Sequence, residues 1–153
     1  MANTYSQIYI QVVFAVKGRQ NLISKDWKDE LYKYITGICT NNQQKLIAIN
    51  GVADHIHILI GLKPAMALSD LIREIKTSSS KFISEKGWIK GNFNWQERYG
   101  AFSYAHSQLD SVIAYIQNQE IHHQTKTFKE EYLNFLDKFD ISFEERYLFE
   151  WIE

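Results

Sequence analysis

The sequence predicts an α+β fold in which helices pack against an antiparallel β-sheet. Apolar and aromatic segments of strand length alternate with segments whose apolar residues recur every three to four positions, as in amphipathic helices. The chain has one proline and seven glycines, which favours long regular elements over irregular connections. With 45% hydrophobic residues, its 153 residues suffice for a globular core, and we expect a single domain over residues 1–153.

Five elements are predicted in the first ninety residues. Their ranges follow from the strand-like and helix-like patterns of apolar residues. They are a strand over 6–16, a helix over 25–43, strands over 45–53 and 55–62, and a helix over 67–86. Because only Asp54 separates the second strand from the third, we expect these two strands to form a hairpin.

The rest of the chain continues with one strand and further helices. A segment over 95–106, rich in tryptophan, tyrosine and phenylalanine, is predicted as a strand, and a third helix over 109–124 follows with Ser107 as its N-cap. Thr127 and Glu130 have the spacing of a capping box and predict the start of a fourth helix. The order β-α-β-β-α-β is that of the split βαβ, or ferredoxin-like, plan, here with extra C-terminal helices.

The charge distribution permits a nucleic-acid partner without demanding one. The formal net charge is −1, but residues 1–90 carry twelve Lys/Arg against seven Asp/Glu, and residues 129–153 carry three against eight. An acidic C-terminal segment therefore masks a basic body, although ordinary solvated charge explains the counts equally well. No apolar run reaches the ~18 residues of a membrane span, no signal segment opens the chain, and the lone Cys39 cannot form an internal disulfide, so we expect a cytoplasmic protein.

Two histidines share one face of the third predicted strand. In the stretch DHIHILIGL side chains alternate, so that His55 and His57 point to one side and Ile56 and Ile58 to the other. Two imidazoles about 6–7 Å apart along a strand can converge on one cation, and burying them unpaired would be costly. The alternative is a pair of partly solvated histidines at a sheet edge, which the strongly apolar flanks disfavour.

A polar stripe runs along the third predicted helix. In VIAYIQNQEIHH, Tyr115, Gln119 and His122 lie at i, i+4 and i+7. We interpret Tyr115 as a nucleophile, because a divalent cation beside it prepares a phosphodiester for attack, and Gln119 as a third ligand of that ion. A half-buried boundary tyrosine and a surface glutamine are the alternatives. The role of His122 stays open, and His123 is expected to be a solvated cation at the helix end.

Basic and aromatic residues on and after the second predicted helix form a candidate DNA surface. The candidate contacts are Arg73, Lys76, Ser80, Lys81, Trp95 and Arg98. The residues on the helix lie along or beside one side of it, which suits the tracking of phosphates, and the tryptophan is a candidate for base stacking. A solvated helix face explains the charged residues equally well, and aromatic residues this dense more often belong to a core.

The H-hydrophobe-H strand and, some sixty residues later, the helical stretch YIQNQEIHH together resemble the single-tyrosine HUH transposases of small bacterial insertion sequences. More narrowly, they resemble the REP-associated branch of these enzymes. The resemblance extends over nearly the whole chain, through YSQIYIQVVFAVKGRQ, WQERYGAFSYAHSQ, FKEEYLNFL and EERYL. Related rolling-circle replication initiators have a lysine three residues after the tyrosine, where this chain has Asn118.

The resemblance implies metal-dependent, ATP-independent nicking and joining of single-stranded DNA at hairpin-bearing ends. His55 and His57 match the family's metal ligands, Gln119 its third ligand, and Tyr115 the nucleophile that forms a 5′-phosphotyrosine link and frees a 3′-hydroxyl. The implied cofactor is Mg²⁺ or Mn²⁺, and paired imidazoles favour Mn²⁺ or Zn²⁺ over Mg²⁺. The resemblance further implies a homodimer, commonly with sites completed in trans, and a cytoplasmic, nucleoid-associated location.

Two other functions stay open on the sequence. A domesticated member of the family would bind DNA hairpins at genomic repeats without cleaving them, although the intact catalytic positions count against this. A small metalloenzyme would use the histidine pair for hydrolysis, but Asp54 is the one obvious carboxylate available to it as a general base.

Overall fold

The structure of the protein is a computed structural model that describes residues 4–18 and 22–151. The elements in chain order are β1 (Tyr9–Ala15), α1 (Lys28–Asn41), β2 (Lys45–Val52), β3 (His55–Gly61), α2 (Leu68–Lys86), β4 (Gly100–Tyr104), α3 (Leu109–Gln117), α4 (Gln119–His122) and α5 (Phe128–Lys138). The strands form one antiparallel sheet in the order β2-β3-β1-β4, with β1 and β3 in the middle. This confirms the α+β class and the ferredoxin-like order. The single domain over residues 1–153 stays a prediction.

The sheet has two unlike faces because side chains alternate along β1 and β3. One face packs against α1 and α2 in the larger apolar core and carries Val12, Phe14, Ile56 and Ile58. The other face packs against α3 and α5. Between its apolar residues this second face contains three fully buried polar side chains, those of Gln11, His55 and His57. The central strands therefore present their polar groups to the C-terminal helices.

β2 and β3 form the predicted hairpin around Asp54, and Gly51 allows the two strands to approach closely. A Cβ atom at Gly51 would lie 2.8 Å from the Cα of Ile56 and closer still to the carbonyl oxygen of His55. Both obstacles are backbone atoms, which cannot move aside as a flexible side chain would. Gly51 therefore fixes how β2 passes the start of β3, and with it the position of His55.

The single helix predicted over 109–124 is wrong, because the chain forms two helices there, α3 and α4, with a break at Asn118. The side chain of Asn50, on β2, donates a hydrogen bond to the carbonyl oxygen of Gln117 at 3.0 Å. Ile121 would use that carbonyl in a continuous helix, and its backbone N–H bonds to Asn118 instead, at 3.1 Å. A residue from the sheet thus holds the break in place.

Helices α3 and α5, which both follow the last strand, begin differently. Ser107, the predicted N-cap of the third helix, lies within a 3₁₀ turn over His106–Gln108, and α3 begins after this turn without a side-chain cap. The helix start predicted at Thr127 is confirmed, because the Thr127 hydroxyl accepts a hydrogen bond from the backbone N–H of Glu130 at 3.2 Å where α5 begins. None of the helices in the described ranges is long and apolar enough to cross a membrane.

Candidate active site and metal centre

The two histidines lie in the middle of the sheet, under the C-terminal helices. β3 has β1 on one side and β2 on the other, and both imidazoles are fully buried. The partly solvated edge position considered from the sequence is therefore wrong. The two imidazole centroids are 5.1 Å apart, and His55 stacks on Phe128 of α5 with centroids 3.8 Å apart. The strand mounts both rings rigidly toward α5.

A carboxylate from α5 stands between these rings. The Oε1 atom of Glu131 lies 3.1 Å from His55 Nε2, 3.0 Å from His57 Nε2 and 3.1 Å from His123 Nε2. The side chain of His123 is only 10% exposed, so the solvated position expected for it is wrong. Three imidazoles, two from the sheet and one from the segment after α4, thus converge on a single oxygen atom.

Glu131 was not among the residues predicted from the sequence, although one signal pointed to it. It falls on the buried side of α5, among the apolar side chains of Phe128, Tyr132, Phe135 and Leu136. A carboxylate on the apolar side of an amphipathic helix is rare unless it is paired. Its partners, however, come from β3, α3, α4 and the residue after α4, and helical spacing alone does not identify them.

Each histidine of β3 has a polar partner on its other ring nitrogen. Asp54 Oδ1 lies 2.7 Å from His55 Nδ1, and because a carboxylate only accepts, this nitrogen carries a proton. The Nε2 atom of the same ring faces Glu131 Oε1 and, once deprotonated, can bind a cation. Gln11 Nε2 lies 2.8 Å from His57 Nδ1, and Tyr104 donates to Gln11 Oε1 at 3.0 Å. If the amide of Gln11 is turned over, its oxygen accepts from Nδ1–H of His57, so the residue fits either tautomer.

The predicted nucleophile and third ligand reach the same carboxylate. The hydroxyl of Tyr115 donates a hydrogen bond to Glu131 Oε2, and its ring lies edge-on to that of His57 with centroids 5.9 Å apart. On its other side the Tyr115 ring stacks on His122, at 4.5 Å between centroids. Gln119 is fully buried, and its Nε2 atom donates to Glu131 Oε2 at 3.3 Å. The structure therefore brings the predicted phenol, amide and imidazoles together within one chain.

The charges of the site perturb one another. Burial alone would raise the pKa of the Glu131 carboxyl, but hydrogen bonds from the three histidines outweigh burial and hold it far below its ordinary value. Burial and the Glu131 charge raise the pKa of Tyr115 well above its usual range, so the phenol is protonated. Burial opposes the charge on both imidazoles of β3. It lowers the pKa of His57, whereas the hydrogen bonds that His55 donates to Asp54 and Glu131 raise the pKa of His55 in spite of it.

The donor atoms of this cluster fit a divalent cation. Nitrogen atoms of His55 and His57 and a carboxylate oxygen of Glu131 all lie within 4.8 Å of one another. Two imidazoles with one carboxylate suit Mn²⁺ or Zn²⁺. In addition, Gln119 Oε1 is buried and accepts no hydrogen bond from the described residues. An orphaned buried oxygen beside a carboxylate and two imidazoles is the kind of acceptor that a cation satisfies.

The predicted DNA contacts on α2 lie across the sheet from this cluster. α2 packs with α1 on the face of the sheet that carries Ile56 and Ile58, here called the isoleucine face, so the sheet separates α2 from Glu131. Arg73 and Lys81 are exposed and pair with acidic residues of α2 itself, Asp70 at 3.0 Å and Glu85 at 3.9 Å. Ser80, on the same helix, is half-buried. The structure does not bring these residues to Tyr115, and their contact with DNA stays a prediction.

Lys76 and Trp95 make structural contacts. The ammonium of Lys76 donates to the carbonyl oxygens of Gln96 at 2.7 Å and Arg98 at 2.9 Å, which ties α2 to the segment before β4, and burial lowers the pKa of Lys76 to about 8. Trp95 is buried, and its indole N–H donates to Ser79 at 2.9 Å. An enclosed indole has no free face for a base, so the predicted stacking role of Trp95 is corrected to a core role. Arg98 is exposed and remains a candidate contact.

Proteins similar to this chain are transposases. The ISDra2 transposase TnpA of Deinococcus radiodurans is 23% identical over 120 residues, which are 74% of this chain and 84% of that protein. A structure assigned as a transposase from Deinococcus radiodurans matches with a TM-score of 0.61 at 21% identity, over 78% of this chain and 95% of that chain. A REP-associated tyrosine transposase bound to a REP hairpin matches with a TM-score of 0.60 at 16% identity, over 80% of this chain and 73% of that chain. Both structures share the fold described above.

The family match includes the predicted site and ends before α5. The family described as "Transposase IS200 like" matches residues 4–119, a range that contains both histidines of β3, Tyr115 and Gln119. His123 and Glu131 lie beyond the matched range. Because the match spans well over half of the chain, the protein belongs to the IS200-like transposase family, whose activity is the transfer of DNA strands.

Proposed function

We propose that this transposase cuts and rejoins a single DNA strand through a covalent bond to Tyr115, beside a divalent cation held by His55, His57 and Glu131. The observation that carries the proposal is that the Tyr115 phenol and both imidazoles contact the same carboxylate within one chain. Membership of the family supplies the reaction class, DNA strand transfer.

In the proposed step the Tyr115 oxygen bonds to phosphorus and the bond from phosphorus to the 3′-oxygen breaks. The products are a 5′-phosphotyrosine and a free 3′-hydroxyl, so one proton leaves the phenol and one arrives at the departing oxygen. A bound divalent cation would supply charge neutralisation at the phosphate. The phenol is protonated at neutral pH, and its hydroxyl donates to Glu131 Oε2, which orients the attacking oxygen. The proton that the phenol loses to solvent is matched by the one that the departing 3′-oxygen gains, so the step balances.

The two oxygen atoms of Glu131 have separate tasks in this proposal. Oε1 faces the imidazoles and is the oxygen that would join them around the cation, whereas Oε2 accepts hydrogen bonds from Tyr115 and Gln119. Gln119, the third ligand implied by the sequence, keeps its orphaned Oε1 for the same cation. Mn²⁺ matches this mixed set of nitrogen and oxygen donors better than Mg²⁺, which prefers oxygen atoms alone.

We propose single-stranded DNA with hairpins as the substrate. Support comes from the REP-associated transposase of similar fold, which is bound to a REP hairpin. We also retain the homodimer implied by the sequence resemblance, but in place of the trans arrangement that is common in that family we propose that each site is complete in its own chain. The distance of 5.9 Å between the His57 and Tyr115 ring centroids of one chain supports this cis arrangement.

Adduct formation tests the proposal. We expect hairpin-bearing single strands incubated with the protein and Mn²⁺ to give a protein–DNA adduct that survives a denaturing gel. Tyr115→Phe should abolish the adduct and leave DNA binding intact, while the control Tyr5→Phe, at a residue 98% exposed, should leave both unchanged. An adduct in Tyr115→Phe would refute the assignment. Hairpin binding without an adduct in the unmodified protein would favour the non-cleaving alternative.

A further inference from the structure

A solvent-accessible cavity of about 560 Å³ opens beside Tyr115. Its lining runs from buried Glu131, through His122 and His123, to exposed residues at both ends of α5 and at the start of α3. The exposed part of the lining includes Ser107, Gln108, Ser111, Thr125, Lys126, Asn134 and Lys138. The cavity thus connects solvent with the hydroxyl that carries the proposed chemistry.

We propose that this cavity holds the nucleotide next to the scissile phosphate, and that Lys126 and Lys138 contact the flanking phosphates of the same strand. The inference rests on the proposed function, because it assigns the path of the strand that Tyr115 attacks. It also relocates the DNA surface from α2, across the sheet, to the face of the sheet that carries the histidines.

The size of the cavity favours one strand over a duplex. Its volume lies within the range of about 300–1,000 Å³ that is typical of small-ligand sites. A nucleotide is a ligand of this class, whereas a double helix needs an open groove. The access to Tyr115 is therefore suited to unpaired DNA.

The charges of the lining suit a phosphate backbone. Glu131 is the one carboxylate among the described residues that line the cavity, and three imidazoles surround it. Lys126 precedes α5 and Lys138 ends it, so roughly 16 Å of helix, at 1.5 Å per residue, lies between the two residues. A single strand that runs along α5 would meet one cation near each end of the cavity.

The remaining lining offers groups that bases recognise. Tyr104, Val112 and Phe135 provide an apolar wall, and Ser111 and Asn134 provide hydroxyl and amide groups for base edges. The Nε2 atom of His122 is buried and makes no hydrogen bond with the described residues. Because His122 lines the cavity and stacks on Tyr115, a ligand that binds there can satisfy this nitrogen.

The salt dependence of DNA binding tests the assignment. Each phosphate contact of a single strand contributes about 0.7 to the slope of log affinity against log salt. We expect Lys126→Gln and Lys138→Gln each to lower the slope by about that amount, and the double variant by about twice as much. Lys129→Gln, at an exposed residue of α5 outside the cavity, is the matched control and should leave the slope unchanged. Slopes equal to that of the control would overturn the inference.

Photo-crosslinking locates the strand independently. A hairpin-bearing strand with a photoreactive thymidine analogue in its unpaired positions should crosslink to peptides from residues 104–111 and 122–138. Crosslinks confined to α2 would overturn the inference. These measurements distinguish failure of the inference from failure of the proposed cleavage. If the unmodified protein shows the expected slopes and crosslinks but forms no adduct, the cavity is a DNA-binding site and the proposed cleavage by Tyr115 is wrong.

Discussion

Glu131 joins three parts of the chain through one side chain. Its carboxylate contacts imidazoles from β3 and from the segment after α4, and the hydroxyl of Tyr115 on α3. A buried carboxylate is costly unless its hydrogen-bonding capacity is satisfied. Here the groups that satisfy it are those of the proposed chemistry, so the docking of α5 and the geometry of the site depend on the same atoms.

Removing the charge of Glu131 should weaken metal binding. Changes in the outer shell of a metal site typically cost about 10–100-fold in affinity, so we expect Glu131→Gln, which alters a ligand, to weaken Mn²⁺ binding by about 100-fold or more. Titration followed by the electron paramagnetic resonance of free Mn²⁺ measures this. Glu130→Gln is the matched control, because Glu130 is exposed and glutamine preserves the cap spacing. Equal affinities of the two variants, both folded by circular dichroism, would exclude Glu131 as a ligand.

At the residue scale, local spacing determined which parts of the site were predictable. Strand alternation placed His55 and His57 on one face, and helical spacing related Tyr115 to Gln119. Glu131 and Gln11 act through contacts with β3 that span 74–76 and 46 positions in the chain. Such pairings depend on how the helices dock on the sheet, and no local period encodes that.

At the scale of the element, the β2–β3 hairpin depends on a missing side chain. A Cβ at Gly51 would collide with backbone atoms of β3. We expect Gly51→Ala to lower the free energy of unfolding by roughly 1–3 kcal/mol, the usual cost of overpacking, and to weaken Mn²⁺ binding because His55 must shift. The control Gly37→Ala, within α1 and with open space at its Cβ, should raise stability by up to about 1 kcal/mol. Urea denaturation measures both, and equal stabilities would show that β3 yields to the added methyl group.

The break between α3 and α4 shows the limit of prediction for an element. The apolar stripe of residues 109–124 continues smoothly through Asn118, so periodicity predicts one helix. The break is held by Asn50, whose side chain bonds the Gln117 carbonyl oxygen across 67 positions of the chain. The bounds predicted for the strands and helices of the first ninety residues hold to within about three residues, because each ends at a turn signal or at a change of period. The strand predicted over 95–106 forms only over Gly100–Tyr104.

At the scale of the whole molecule, the cis arrangement predicts that two inactive chains cannot rescue each other. In a mixed dimer of His57→Ala and Tyr115→Phe chains, completion in trans would give one site in which both residues are intact. With completion in cis, every site lacks one of the two residues. We therefore expect co-expressed, co-purified mixed dimers to form no adduct with hairpin DNA and Mn²⁺. Mixed dimers of either variant with the unmodified chain should form the adduct. Adduct formation by the doubly variant dimer would establish the trans arrangement.

The face of the sheet that each helix covers also bears on where DNA binds. In the observed structure α1 and α2 both cover the isoleucine face, and the histidines occupy the other. Helical spacing correctly gave α2 an exposed, charged side, but spacing within one helix does not say which face of the sheet that helix covers. The alternation of His55 and His57 with Ile56 and Ile58 already separated the two faces. That α3 and α5 pack on the face with the histidines could be learned only from the structure.

The contact between Glu131 and His55 has a consequence for the timing of activity. The chain is synthesised from its N-terminus, so the two histidines of β3 are made 76 and 74 positions before the carboxylate that completes their site. Contacts of such long sequence separation form slowly during folding, because closing the intervening loop costs entropy before it is rewarded. A chain with its sheet formed and α5 undocked lacks both Glu131 and the cavity beside Tyr115. If the proposed chemistry holds, cleavage of DNA would therefore begin only after α5 has docked.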